Sequence, residues 1–151
     1  MYEVSSVFQG AGWFVQEIIP GAAAILPKPT VLVVEDEGLI RWALSEGLSD
    51  AGYVVRGAAT GAEARAAVAT CEGPLLVVLD LRLPDVADLS LLRHIRESRS
   101  DAPVVIMTAH GSAHDATEAK RLGASAFVGK PFDVTAMIDL VAMAWATRQA
   151  Q

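Results

Sequence analysis

Apolar and polar positions along this chain fall into repeating blocks. Val31–Val34, Leu75–Leu79 and Val104–Met107 are short, wholly apolar runs. A run of that length without alternation is what a strand covered on both faces looks like. Between these runs the period changes. Leu39–Ala51 sets Ile40, Leu44, Gly47 and Leu48 on one helical face and meets Gly52 as a stop. Tyr53–Val55 reads as a strand, and Gly61–Cys71 as an alanine-rich helix. Leu89–Arg99 reads as a helix with Leu91, Leu92 and Ile95 on its apolar side, and His114–Leu122 as a helix stopped by Gly123. Ala126–Val128 reads as a short strand. Asp133 suits the N-cap of a last helix in which Val134, Met137, Ile138, Val141 and Trp145 recur at helical spacing. From Thr30 onward five strands alternate with five helices. This predicts an α/β fold, a parallel sheet sandwiched between helices with right-handed crossovers.

Residues 1–29 break the rhythm. Gly10, Gly12, Gly21, Pro20, Pro27 and Pro29 interrupt apolar residues such as Phe8, Trp13, Phe14, Ile18 and Ile19. A short amphipathic helix about Gly12–Ile19 fits this stretch, and so does a loosely ordered terminus. The expected organisation is an irregular N-terminal extension over 1–29, one domain over 30–148 and a tail over 149–151. Phe8, Trp13, Phe14 and Ile18 suggest that the extension docks on the domain or on a second copy.

Composition narrows the function classes. Hydrophobic residues make up 52% of 151, enough for one buried core. A net charge of −6 argues against direct nucleic-acid binding, which needs a basic face. A single cysteine, Cys71, excludes an internal disulfide and a cysteine-built metal site. No run reaches the roughly 18 to 20 charge-free apolar residues of a transmembrane segment. Met1–Gly10 carries Glu3 and no Lys or Arg, unlike the start of a secretory signal. The expectation is a cytoplasmic protein.

In open parallel sheets ligands bind beyond the carboxyl ends of the strands. Here the apolar runs end at Glu35, Asp36 and Glu37, at Asp80, at Thr108, and at Gly129, Lys130 and Pro131. Acids, a hydroxyl and an ammonium thus converge on one edge. Clustered carboxylates repel one another unless a cation intervenes, and a hard ion such as Mg²⁺ suits oxygen donors. An Asp in such a cluster can act as a nucleophile toward phosphorus. Lys130 would balance charge on phosphoryl oxygens and keep Asp80 ionised, and Thr108 would donate a hydrogen bond.

The stretches Val31–Glu37, Val77–Pro84, Val104–Gly111 and Gly129–Asp133, with their spacing, resemble the receiver domain of two-component response regulators over about residues 30–148. The resemblance implies a flavodoxin-like, doubly wound five-stranded parallel sheet in the order 2-1-3-4-5. It implies Asp80 as phosphoacceptor, with Mg²⁺ held by Glu35, Asp36 (the more direct of the pair), Asp80 and the backbone carbonyl of Arg82. Thr108 matches the switch hydroxyl, Lys130 the family lysine, and Phe127 the aromatic that rotates inward as Thr108 moves. Ala109 is small, leaving an approach for the donor, and the Lys130–Pro131 bond is expected to be cis. A histidine kinase or phosphotransfer protein would be the donor. A protein partner or a second copy would receive the signal on the face of helix 114–122, strand 126–128 and helix 134–148.

Ile40–Trp42 and Met107–Ser112 look most like receivers of nitrogen-regulation-type activators, which carry further domains. Residues up to Gln151 hold nothing beyond the last receiver helix, so the expectation is a stand-alone regulator or phosphorelay receiver, not an enzyme. Two alternatives stand beside it. One is a receiver-fold adaptor that works without phosphate. The other is an aspartyl-phosphate phosphohydrolase, disfavoured because Arg82 stands where such enzymes place a second acid. Asp88 occupies a position where the family usually has glycine, which suggests a differently shaped loop. Arg82 and His110 flank the approach to Asp80 and could tune the acyl phosphate's lifetime. Glu37, His94 and His114 read as solvated surface groups. Trp42 and Trp145 read as helix packing or partner contact.

Overall fold

The computed structural model describes residues 4–6, 15–18, 27–109 and 112–149. Seven strands and five helices are present among them. Strands β1 (Val4–Ser6) and β2 (Val15–Ile18) form an antiparallel pair with Val4 opposite Ile18. Val15–Ile18 is therefore extended, where the sequence also allowed a helix. Val and Ile are residue types enriched in strands. Phe8, Trp13 and Phe14, on which the docking expectation rests, lie outside the described residues.

The remaining strands build one parallel sheet: β3 (Thr30–Val34), β4 (Val54–Ala58), β5 (Leu75–Asp80), β6 (Val104–Thr108) and β7 (Ala126–Gly129). Its order is β4-β3-β5-β6-β7, which is 2-1-3-4-5 within this sheet. Between consecutive strands run α1 (Gly38–Asp50), α2 (Gly61–Thr70), α3 (Ser90–Ser98) and α4 (Ala113–Arg121), and α5 (Val134–Gln149) follows β7. The expected flavodoxin-like architecture is the observed one.

Strand pleating explains the two-sided core, because successive side chains point to opposite faces. Val31, Val33, Leu76, Val78, Val105 and Met107 face Leu44 and Leu48 of α1 and Met137, Val141 and Trp145 of α5. Leu32, Val34, Val77, Leu79 and Ile106 face α2, α3 and α4 through Ala64, Val68, Leu91, Leu92, Ile95 and Ala119. This is why the strands read as unbroken apolar runs. Gly52 and Gly123 follow α1 and α4 with φ of +96° and +99°, a left-handed turn that glycine enters without a Cβ penalty. The Asp133 carboxylate accepts the Thr135 amide at 2.9 Å, so it caps α5 as expected.

The largest boundary difference is at β4. Tyr53–Val55 was the expected strand, whereas β4 starts at Val54 and runs to Ala58. Its register with β3 pairs Thr30 with Val54 and Val34 with Ala58, so the ladder recruits Arg56, Gly57 and Ala58, whose own strand preference is weak. The Glu35 amide extends this ladder by donating to the Ala58 carbonyl at 2.9 Å. Among the described residues no helix is long and apolar enough to cross a membrane.

Candidate functional site

The carboxyl edge of the sheet gathers the polar residues that its interior excludes. Asp80 is the last residue of β5, the middle strand, and is 4% exposed. Thr108 ends the neighbouring β6 and is buried. Lys130 directly follows β7, and its amide donates to the Thr108 carbonyl at 2.8 Å. The Lys130–Pro131 bond is cis, as expected. Glu35 follows β3 and is fully buried, whereas Asp36, one residue on, is exposed.

The Lys130 ammonium is the hub. It donates to Asp80 Oδ2 at 2.8 Å and to Glu35 Oε1 at 2.5 Å. The Arg82 amide donates to the other Asp80 oxygen at 3.0 Å. Burial pushes the Glu35 carboxyl up to about 7; the adjacent Asp80 reinforces this and Lys130 opposes it. Burial also works against ionised Asp80. Hydrogen bonds from the Glu35 side chain, the Arg82 amide and Lys130 outweigh it and hold Asp80 below the ordinary carboxylate range. Burial disfavours a charged Lys130 too, but its bonds to Asp80 and Glu35 hold its pKa above the usual lysine value. The buried cluster therefore keeps an ionised Asp80, a charged Lys130 and a Glu35 that titrates at about 7.

These residues suit a hard divalent cation. Glu35, Asp36 and Asp80 each offer a carboxylate oxygen, all within 4.8 Å of one another. Glu35 Oε2 is buried and finds no hydrogen-bond partner among the described residues. A buried acceptor left over in an all-oxygen donor set is what a cation would satisfy.

Every expected site residue that is described comes to this edge except Phe127. That residue is half-buried in β7, paired with Ile106 and packed on the α2–α4 side of the core. Arg82 presents its amide to Asp80 while its side chain is exposed. His110, proposed to flank the approach, lies outside the described residues. Two supporting residues were missed in the sequence. The Arg41 guanidinium donates to the Glu35 carbonyl at 2.7 Å, bracing the acidic turn from α1. Asp85 bonds to α2 across 24 positions of sequence, a separation that no local motif signals.

Residues 31–142 match the model of the response regulator receiver domain. The chain belongs to this receiver family. Its relatives include the DNA-binding transcriptional regulator NtrC of Escherichia coli, 36% identical over 126 residues covering 83% of this chain and 27% of that one. The receiver thus spans about a quarter of the length of the curated relatives it matches. Among solved structures, a CheY-like receiver domain protein from Methanospirillum hungatei superimposes with a TM-score of 0.77 at 23% identity, covering 82% of this chain and 98% of that one. That likeness concerns the fold. A response regulator from Burkholderia pseudomallei, described with a phosphorylated aspartic acid and a calcium ion, matches with a TM-score of 0.70 at 27% identity, covering 82% of this receiver and 72% of that chain.

Proposed function

We propose that Asp80 accepts a phosphoryl group from a histidine kinase or phosphotransfer protein. In this reading Mg²⁺ sits among Glu35, Asp36, Asp80 and the Arg82 carbonyl, and the phosphorylated receiver signals to a protein partner or a second copy. The observation that carries the reading is the Asp80 carboxylate, buried at the end of the middle strand and held at 2.8 Å from the Lys130 ammonium beside two further acids. The Burkholderia regulator supports it, being described with both a phosphorylated aspartic acid and a divalent ion.

In the transfer an Asp80 oxygen attacks phosphorus. The bond from phosphorus to the donor's imidazole nitrogen breaks, and its electron pair stays on that nitrogen. Asp80 is already ionised, so no base is needed to activate it. Lys130 balances charge on the phosphoryl oxygens, and the Thr108 hydroxyl donates to one of them. A bound divalent cation supplies further neutralisation of that charge. The product is an acyl phosphate on Asp80, one turnover per signal.

The signal leaves through β6 and β7. Thr108 pairs with Gly129 and Ile106 with Phe127, so a shift of Thr108 toward the phosphoryl group is felt where Phe127 packs. That movement biases two conformations of the face made by α4, β7 and α5. Incubation with acetyl phosphate and Mg²⁺ followed by intact mass spectrometry tests the proposal. One added phosphoryl group, absent when Mg²⁺ is chelated, is the expected result. An unchanged mass in both conditions would sink the reading and leave the phosphate-independent adaptor in its place.

A further inference from the structure

The loop from Leu81 to Leu89 joins the site strand β5 to α3, and carboxylates fasten it in two places. Asp85 Oδ1 accepts the Gly61 amide at 2.7 Å, and Oδ2 accepts the Ala62 amide at 3.0 Å. Both amides belong to the first turn of α2 and have no carbonyl within the helix to bond. The helix also has its own local cap, the Thr60 hydroxyl, which accepts the Glu63 amide at 3.1 Å. Asp85 is thus a second anchor, reaching in from the loop beside Asp80.

Packing reinforces it. A Cβ on Gly61 would stand 2.5 Å from Val86 Cγ2, so the loop rests directly on the helix start. The Leu83 amide donates to the Val86 carbonyl at 2.9 Å, and Leu81 and Leu83 are buried. Toward α3, Asp88 Oδ1 accepts the Ser90 amide at 2.9 Å. Among the described residues no non-glycine residue has positive φ, so Asp88 needs none of the freedom of the glycine usual in the family; its carboxylate closes a local turn onto the Ser90 amide, while Leu89 holds the N-cap position of α3. At the site end, the Arg82 amide holds Asp80 Oδ1.

We propose that Asp85 is a positioning residue for the acidic site: by pinning the loop to α2 it holds the Arg82 backbone, and through the Arg82 amide the Asp80 carboxylate, in the arrangement that takes a divalent cation. The inference rests on the metal-dependent reading of Asp80 and deepens it. Arg82, Pro84, Asp85, Ala87 and Asp88 are exposed. Leu81, Leu83, Val86 and Leu89 pack toward the core, so the clamp acts on the exposed backbone between them. The bonds from Gly61 and then Ala62 hold the Asp85 carboxyl below its ordinary range, so the clamp stays charged across the neutral region. A group that orients metal ligands without touching the ion typically changes affinity by about ten- to a hundredfold.

The test compares Asp85→Ala, Asp85→Asn and Thr60→Ala with the unaltered chain. Mn²⁺ affinity is read by water-proton relaxation, thermal midpoint by calorimetry, and exchange of the 81–89 amides by mass spectrometry. Asp85→Ala is expected to weaken Mn²⁺ binding about tenfold and to speed loop exchange. Asp85→Asn, whose amide has one acceptor oxygen, should fall between. Thr60→Ala removes the helix's local cap, so it should lower the midpoint and leave Mn²⁺ affinity unchanged. Unchanged affinity in Asp85→Ala, with metal binding intact in the parent, would overturn the positioning role and leave Asp85 a simple cap. Equal affinity losses in Asp85→Ala and Thr60→Ala would overturn it as well, pointing to general loosening. A parent chain that binds no Mn²⁺ would overturn the reading of the site itself.

Discussion

Strand β5 holds two kinds of interior in one run of residues. From Leu75 to Leu79 every side chain is buried and apolar, facing one helical layer or the other. At Asp80 the strand is just as buried, yet the side chain is an ionised carboxylate bonded to Lys130 and the Arg82 amide, with the Glu35 carboxyl beside it. The apolar stretch draws its stability from non-directional burial, roughly in proportion to the apolar area removed from water. The polar end is a network in which each group's charge depends on the others. Stability sits in the middle of the sheet, and chemistry sits at the edge, where the fold tolerates buried charge.

Replacing Asp80 by Asn should separate the two most sharply. The phosphoryl adduct is lost entirely while the folded state persists, as intact mass and circular dichroism would show. Leu76→Ala should do the reverse. Removing a fully buried side chain costs about 3 kcal/mol in urea denaturation, with the adduct still forming in whatever fraction is folded. Lys130→Ala should break the comparison, since it strikes both properties. It strands two buried acids without their counter-charge, abolishes adduct formation and lowers stability by up to about 3 kcal/mol at alkaline pH. Glu35→Gln is the milder probe. It removes a buried negative charge and should stabilise the metal-free chain by about 1 kcal/mol above neutrality, while weakening Mn²⁺ binding.

The last prediction concerns pH dependence. Glu35 holds its proton up to about 7 in the folded chain against 4.5 for an ordinary glutamate. A carboxyl whose pKa is raised by folding contributes stability that is complete below the unfolded value and is lost as pH rises through the folded one. Metal-free stability should therefore decline between about pH 4.5 and 7 in urea titrations with chelator present. Asp80, shifted downward, contributes in the opposite direction and at pH below the ordinary aspartate value of 3.8, so the two windows do not overlap. Saturating Mn²⁺ should flatten the decline, because the cation takes the place of the proton on Glu35.

Local chemistry made much of this legible in the chain. Strands buried on both faces must be apolar throughout, so β3, β5 and β6 stand out, and the residues at their ends mark the candidate site. Gly52, Gly123 and Asp133 marked helix ends because their roles depend on backbone conformation within a few residues. The features that escaped depend on groups far apart in sequence. The length of β4 came from its register with β3, the bracing of Glu35 from Arg41, and the fastening of the Asp80 loop from Asp85 at the start of α2. Even the charges at the edge belong here. Glu35 and Asp80 are both acids on paper, and only the meeting of β3, β5 and Lys130 in a water-poor corner drives one pKa up and the other down. Residue types and spacing follow from local backbone and burial rules, whereas charge state and loop anchoring are set by distances that exist only once the sheet has closed.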